Sequence, residues 1–148
     1  MFFLKMIELI SEILDYKEYA TTYKVVAFSQ SDGMLEIVPQ SRDLNRIDNG
    51  GSSTTDIINF LKEGPRDKIE TKKQNFLKSL AFYSALTFVF GIGDRHLGNI
   101  MLREEDGHLF HIDFGYLFGN EPNDFKKWMS TRVRITSSMI GVAETPDD

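Results

Sequence analysis

The chain has 148 residues, enough to bury one sizeable core but not two. Its 17 basic and 22 acidic residues leave a net charge of −5, which argues against nonspecific nucleic-acid binding, and no basic region resembles a nucleic-acid module. With no cysteine, disulfides and cysteine metal sites are excluded, and the chain fits an intracellular setting.

The run Phe2-Phe3-Leu4-Lys5-Met6 opens an amphipathic helix to about Leu14, with Glu8, Glu12 and Asp15 interspersed, and it does not read as a secretory leader. Strands are expected near 23–30 and 33–38, joined at Ser31-Asp32-Gly33, where a glycine suits a tight reversal. Residues 40–54 are polar, with Asp48 to Ser53 as the clearest loop. Thr54 or Thr55 is placed to cap a helix through about Lys62, and Gly64-Pro65 ends it. A long helix follows near 67–90, with Phe76, Leu77, Leu80, Ala81, Leu86 and Phe90 as its apolar face and Gly91 and Gly93 as its stop. Lys78 interrupts the apolar stretch 76–92, which falls short of the ~18 uninterrupted apolar residues of a membrane span, so it reads as a core helix. A strand-like run from His108 to Ile112 pairs with Asn99 to Leu102 across the turn Glu104-Glu105-Asp106-Gly107. A loop from Asn120 to Arg132 and a short helix near Thr136 to Ile140 complete the chain, which has no internal repeats or low-complexity segment.

The chemistry concentrates in Gly93-Asp94-Arg95-His96-Leu97-Gly98-Asn99 and, fourteen residues after the asparagine, Asp113-Phe114-Gly115. In protein kinases an aspartate receives the substrate hydroxyl's proton, an asparagine five residues on holds one Mg²⁺, and a later Asp-Phe-Gly aspartate holds the metal bridging the phosphates. Asp94, Asn99 and Asp113 reproduce that order, but the His-Arg-Asp triplet is reversed here as Asp94-Arg95-His96. Phosphoryl transfer asks for oxygen ligands to Mg²⁺ and a group that positions the attacking hydroxyl, and the hairpin would bring Asn99 and Asp113 together.

Gly91 to Leu102 and Phe110 to Gly119 resemble the catalytic and metal-binding loops of the phosphatidylinositol 3-/4-kinase family. Tyr23 to Ala27 and Gly33 to Val38 resemble the strands leading to its hinge, and Arg134 to Gly141 the segment closing its activation loop, with a poorer match at 40–75. The resemblance implies an α+β fold: 1–39 as the end of a small lobe with the hinge, and 40–148 as part of a mainly helical large lobe. It implies a lipid kinase that transfers the γ-phosphate of ATP to an inositol ring hydroxyl, with the hinge wording leaning toward the 3-kinases. Val38 N–H and Glu36 C=O of the Glu36-Ile37-Val38 hinge would pair with adenine, Met101 and Ile112 would lie under the ring, and Tyr23 would line the deeper pocket. Asn99 and Asp113 would hold Mg²⁺. Asp94 and His96 are both candidates for handling the hydroxyl, with Asp94 first, and Arg95 would pair with a carboxylate and stiffen the loop. On pattern alone, Ile37, Val38, Met101 and Ile112 are equally core strand residues at period-two spacing.

His111 reads as a brace by hydrogen bonding and His108 as a strand residue. Lys126, Lys127, Arg132 and Arg134, around Trp128 and Met129, suit an anionic phosphoinositide headgroup at a membrane surface, each surface cation contributing about 1 kcal/mol there. The bare charge cluster is also what a solvated basic loop looks like. The family further implies a cytoplasmic, peripherally membrane-associated protein, with a possible regulatory subunit or further domains. The phosphate-covering loop and its lysine precede the first helix in that family, so the 148 residues alone are expected to be inactive, as an internal piece of a lipid kinase or a truncated relative. A related large protein kinase and a noncatalytic kinase-fold binding module are the alternatives.

Overall fold

Two helices with apolar stripes decide where the core sits. The computed structural model describes residues 2–48, 51–120 and 133–145. Helix α1 (Phe2–Ile13) buries Phe3, Leu4, Ile7 and Ser11 along one face, and Asp15 reverses the chain with a left-handed φ of 56°. Helix α4 (Ile69–Phe90) buries Phe76, Ser79, Phe82, Tyr83, Leu86 and Thr87. Each large apolar side chain taken fully out of water contributes about 1.5–3 kcal/mol, so these stripes hold the helices in place. They share one core with Leu44, Ile57, Leu61, Ile100, Leu102, Leu109, Phe110, Met139 and Val142.

Between the two helices lie β1 (Val25–Ala27) and β2 (Gly33–Leu35), an antiparallel pair in register Val26↔Met34. These strands are shorter than the runs 23–30 and 33–38. The amides of Phe28 and Ser29 donate to the Asp32 carbonyl, so the reversal occupies 28–32 and Gly33 belongs to the strand. A short strand that the polar composition of 40–54 concealed, β3 (Ser41–Asp43), pairs with β4 (Ile100–Arg103), which pairs with β5 (Leu109–His111), giving the antiparallel order β3-β4-β5. Arg42 on β3 reaches Glu104 at 2.6 Å and lies over the Phe60 ring.

Helices α2 (Leu44–Ile47) and α3 (Asp56–Leu61) follow β3, and α5 (Ser137–Glu144) closes the described chain. Thr55 does take the N-cap position of α3, but its hydroxyl makes no cap there; the Ser138 hydroxyl of α5 accepts the Ile57 amide at 2.8 Å instead. Thr136 caps α5 by accepting the Met139 amide, and that helix runs past Ile140 to Glu144. The face of α4 is also rotated from the expected one. Ala81 is exposed and Leu77, Leu80 and Phe90 are half-buried, because Ser79 and Thr87 take interior positions where their hydroxyls find buried partners. Among the described residues no helix is long and apolar enough to cross a membrane.

The β4–β5 hairpin has the predicted pairing, Ile100↔His111, Met101↔Phe110 and Leu102↔Leu109. Gly107 turns it with φ 77°, and a Cβ there would stand 2.5 Å from the Lys72 carbonyl, so only glycine fits. Burial pulls the Asp106 carboxyl up, but side-chain and main-chain hydrogen bonds from His108, with the charges of His108 and Arg103, outweigh it and hold the group below the usual carboxylate range. A depressed carboxylate contributes stability above its unfolded value, near pH 3.9, and loses it as pH falls through the folded one. Asp106→Asn should therefore destabilise the protein at pH 7 and flatten the loss of stability below about pH 4 in urea unfolding. An unchanged acid limb would mean that this carboxylate does not brace the turn.

Candidate active site

Helix α4 ends at Gly91, whose left-handed φ 53° and ψ 49° aim the chain into the loop 91–99. A Cβ at Gly91 would lie 2.7 Å from the Gly119 amide, so the glycine also permits a close main-chain approach. Three bonds follow from that approach: Gly93 N–H to Tyr116 C=O (2.9 Å), Phe118 N–H to Phe90 C=O (2.8 Å) and Gly119 N–H to Gly91 C=O (2.8 Å). The loops before Asp94 and after Asp113 are thereby zipped together.

Asp94 and Asp113 both adopt left-handed backbone, at φ 55° and 56°, a conformation that costs a non-glycine residue roughly 1–2 kcal/mol. Buried Arg95 lies between them. Its guanidinium donates to the carbonyls of Gly93 (2.9 Å), Asn99 (3.4 Å) and Ile112 (2.8 Å) and to that of Asp113, and it faces the Phe114 ring. Where a carboxylate partner is expected for Arg95, these stiffening bonds run instead to main-chain carbonyls of both loops. A planar fork with five donors suits this arrangement, which an ammonium point charge does not.

The loop closes on itself around that clamp. The Asn99 side-chain amide nitrogen donates to the Asp94 carbonyl at 3.1 Å, which leaves the amide oxygen as the group it has to offer. The Gly98 amide donates to His96 Nδ1 at 3.1 Å, which fixes the neutral imidazole with its proton on Nε2. That Nε2 lies 3.9 Å from Asp94 Oδ2. Asp113 Oδ1 accepts the Gly115 amide at 3.2 Å, and the side chain is otherwise exposed to the adjoining cavity.

That cavity, of about 720 Å³, is where most of the sequence-selected residues meet: Tyr23, Glu36, Ile37, Val38, Asn99, Met101, Ile112 and Asp113 all line it. Val25, Met34, Pro39, Gln40, Ser41 and Phe110 join them without having been selected. Asp94 and His96 stand outside this lining, on the loop that ends at Asn99. Val38, Met101 and Ile112 are half-buried rather than core, and Ile37 is 82 % exposed, so its side chain is not a core strand residue. The Lys24 amide donates to Glu36 Oε2 and the Glu36 amide to the Lys24 carbonyl, which fixes the hinge at its start. The Ser41 hydroxyl donates to the Val38 carbonyl at 2.7 Å and fixes its end. Burial pushes the Tyr23 phenol up.

Among the described residues no three His, Cys, Asp or Glu side chains converge as a metal cage. Of the oxygen donors that line the cavity, those of Asn99 and Asp113 come from the two functional loops, and they are the hard ligands Mg²⁺ takes when phosphate oxygens and water complete its shell. His111 is fully buried with Nδ1 3.4 Å from the Thr87 hydroxyl and its ring against Tyr83; burial, and then the Arg95 charge, bring its pKa down to about 3, so it serves as a neutral brace. Of the four basic residues chosen for the headgroup, Arg134 is exposed two residues before the α5 cap, whereas Lys126, Lys127 and Arg132 lie outside the described residues. Arg95→Lys keeps the charge but loses the fork, and should cost about 2 kcal/mol or more in urea unfolding, because buried carbonyls lose charged donors. Wild-type stability in that variant would remove the clamp from the architecture.

A family model described as phosphatidylinositol 3- and 4-kinase matches residues 1–145. The chain is 38 % identical over 146 residues to the nodule isoform of phosphatidylinositol 3-kinase from Glycine max, covering 93 % of this chain and 17 % of that protein. It is 38 % identical over 124 residues to phosphatidylinositol 3-kinase VPS34 of Arabidopsis thaliana, covering 82 % and 15 %, respectively. To a phosphatidylinositol 4-kinase of Dictyostelium discoideum it is 30 % identical over 128 residues, covering 84 % and 11 %. The chain therefore spans about a sixth or less of the length of these relatives.

Proposed function

Because the chain belongs to the phosphatidylinositol 3- and 4-kinase family, we propose that it carries the catalytic and metal-binding loops of a lipid kinase that phosphorylates an inositol ring hydroxyl of a phosphatidylinositol lipid, at the 3-position. The observation that carries this reading is the single cavity that gathers the hinge, Tyr23, Asn99 and Asp113, beside the loop that holds Asp94 and His96. The leaning toward the 3-hydroxyl rests on identities of 31–42 % to 3-kinases against 30 and 33 % to 4-kinases.

In this reading the adenine of ATP pairs with the main chain of Glu36 and Val38, between Met101 and Ile112 on one side and the β1–β2 hairpin on the other. Asn99 and Asp113 hold Mg²⁺, which when bound neutralises charge on the phosphates. The inositol oxygen forms a bond to the γ-phosphorus as the bond to the β–γ bridging oxygen breaks, and the hydroxyl proton passes to the Asp94 carboxylate. His96 is the donor of the pair: with Nδ1 occupied by the Gly98 amide, it offers an Nε2 proton rather than a lone pair. Arg95 positions both loops without touching the reacting atoms. The cations Lys126, Lys127, Arg132 and Arg134 supply the positive charge that an anionic headgroup calls for at a peripheral membrane contact on the cytoplasmic side, and further domains or a regulatory subunit bring the chain there.

Asp113→Asn in the full-length protein should reduce lipid phosphorylation to background while thermal unfolding is unchanged; persistent turnover would remove Asp113 from metal binding. Neutralising Lys126, Lys127, Arg132 and Arg134 together should weaken use of phosphorylated headgroups more than use of plain phosphatidylinositol, in vesicles of matched charge. Equal loss on both lipids would mean that these cations serve the membrane contact alone.

A further inference from the structure

The cavity has two kinds of wall. Tyr23 and Val25 come from the segment after α1, whereas Ile112 and Asp113 come from the end of β5. Their relative placement decides whether a nucleotide fits between them. Tyr83, in the middle of α4 and fully buried, touches both. Its hydroxyl donates to the Thr21 carbonyl, two residues before Tyr23. Its ring packs at 5.0 Å against that of His111, two residues before Asp113. On the cavity side Tyr23 and Asp113 line the same space. Thr87, one helical turn after Tyr83, reaches the same imidazole through its hydroxyl.

We propose that Tyr83 is a positioning residue for the nucleotide: it ties the Thr21–Tyr23 wall to the His111–Asp113 wall from behind, and so sets the width of the cavity. Burial pushes its phenol far above the ordinary value, which keeps the hydroxyl a donor at every working pH. The Thr21 carbonyl belongs to a segment without helix or strand pairing, so the Tyr83 hydroxyl holds it where no secondary structure does. The inference rests on the nucleotide reading of the cavity and adds to it a residue that neither lines the cavity nor touches substrate.

The test uses the full-length protein and binding of a fluorescent ATP analogue with Mg²⁺, alongside steady-state lipid phosphorylation. Tyr83→Phe keeps the ring and its packing on His111 and removes only the bond to Thr21. The expected result is a roughly fivefold weaker nucleotide affinity and a matching rise in KM for ATP, with kcat within about twofold, the size of one lost hydrogen bond. Phe82→Leu, on the same helix and packed edge-on to Tyr83 without reaching Thr21, serves as a destabilised control whose nucleotide affinity should be unchanged. Thr87→Val removes the hydroxyl that reaches His111 from the same helix and keeps Tyr83 intact, so it should weaken affinity in the same direction even if Tyr83→Phe folds poorly. Wild-type affinity in Tyr83→Phe, or in Thr87→Val where Tyr83→Phe does not fold, overturns the proposal while leaving the lipid-kinase reading standing. No nucleotide binding by the wild-type protein sinks both.

Discussion

A single buried guanidinium holds the two functional loops in register. Arg95 carries a full positive charge in a site with little access to water, and a charge so placed is tolerable only when surrounded by acceptors. Those acceptors are main-chain carbonyls from Gly93, Asn99, Ile112 and Asp113, two from each of the loops that must meet. The same bonds retain the left-handed backbone at Asp94 and Asp113, whose cost has to be offset by their surroundings. Reaction geometry that tolerates little displacement is thus secured by a residue that performs no chemistry.

Away from that clamp, apolar burial supplies cohesion and small hydroxyl groups supply placement. The Ser79 hydroxyl, on the interior face of α4, accepts the Leu109 amide at 2.9 Å and so sets the height of β5 on the helix. The Ser138 hydroxyl joins α5 to the start of α3, and the Thr136 hydroxyl donates to buried Asp48 at 2.6 Å, next to the loop that follows α2. Lys73 donates to the Thr145 carbonyl at the end of α5, where a cation also complements the helix dipole. Oil-like contacts tolerate sliding, whereas these bonds have one geometry, so the loops inherit their position from polar pins within an apolar core.

How much of this was legible in the sequence varied with the kind of signal. The hairpin followed from a strand-like run and an acidic turn ending at Gly107, its register comes from the structure, and the family was readable from Gly91 through Gly119. Strand β3 was hidden because Ser41-Arg42-Asp43 has no apolar residue; it pairs through its main chain, with Arg42 held by Glu104 sixty-two positions away. The face of α4 was displaced because an apolar template passes over Ser79 and Thr87, whose hydroxyls make them interior residues. The cap of α3 was assigned to a neighbouring threonine, since a hydroxyl arriving from Ser138 leaves no local trace. The carbonyl partners of Arg95 have no residue-type signature either. The hinge and adenine-side residues were selected through resemblance, and their convergence on one cavity was not derivable from spacing.

The most direct measurement is to incubate the full-length protein with Mg²⁺, γ-labelled ATP and phosphatidylinositol vesicles, and to determine which ring position of the extracted lipid carries the label. Label on the 3-position is the expected result. Labelled protein substrate with no labelled lipid, or no transfer at all despite nucleotide binding, would contradict a lipid-kinase site in this chain.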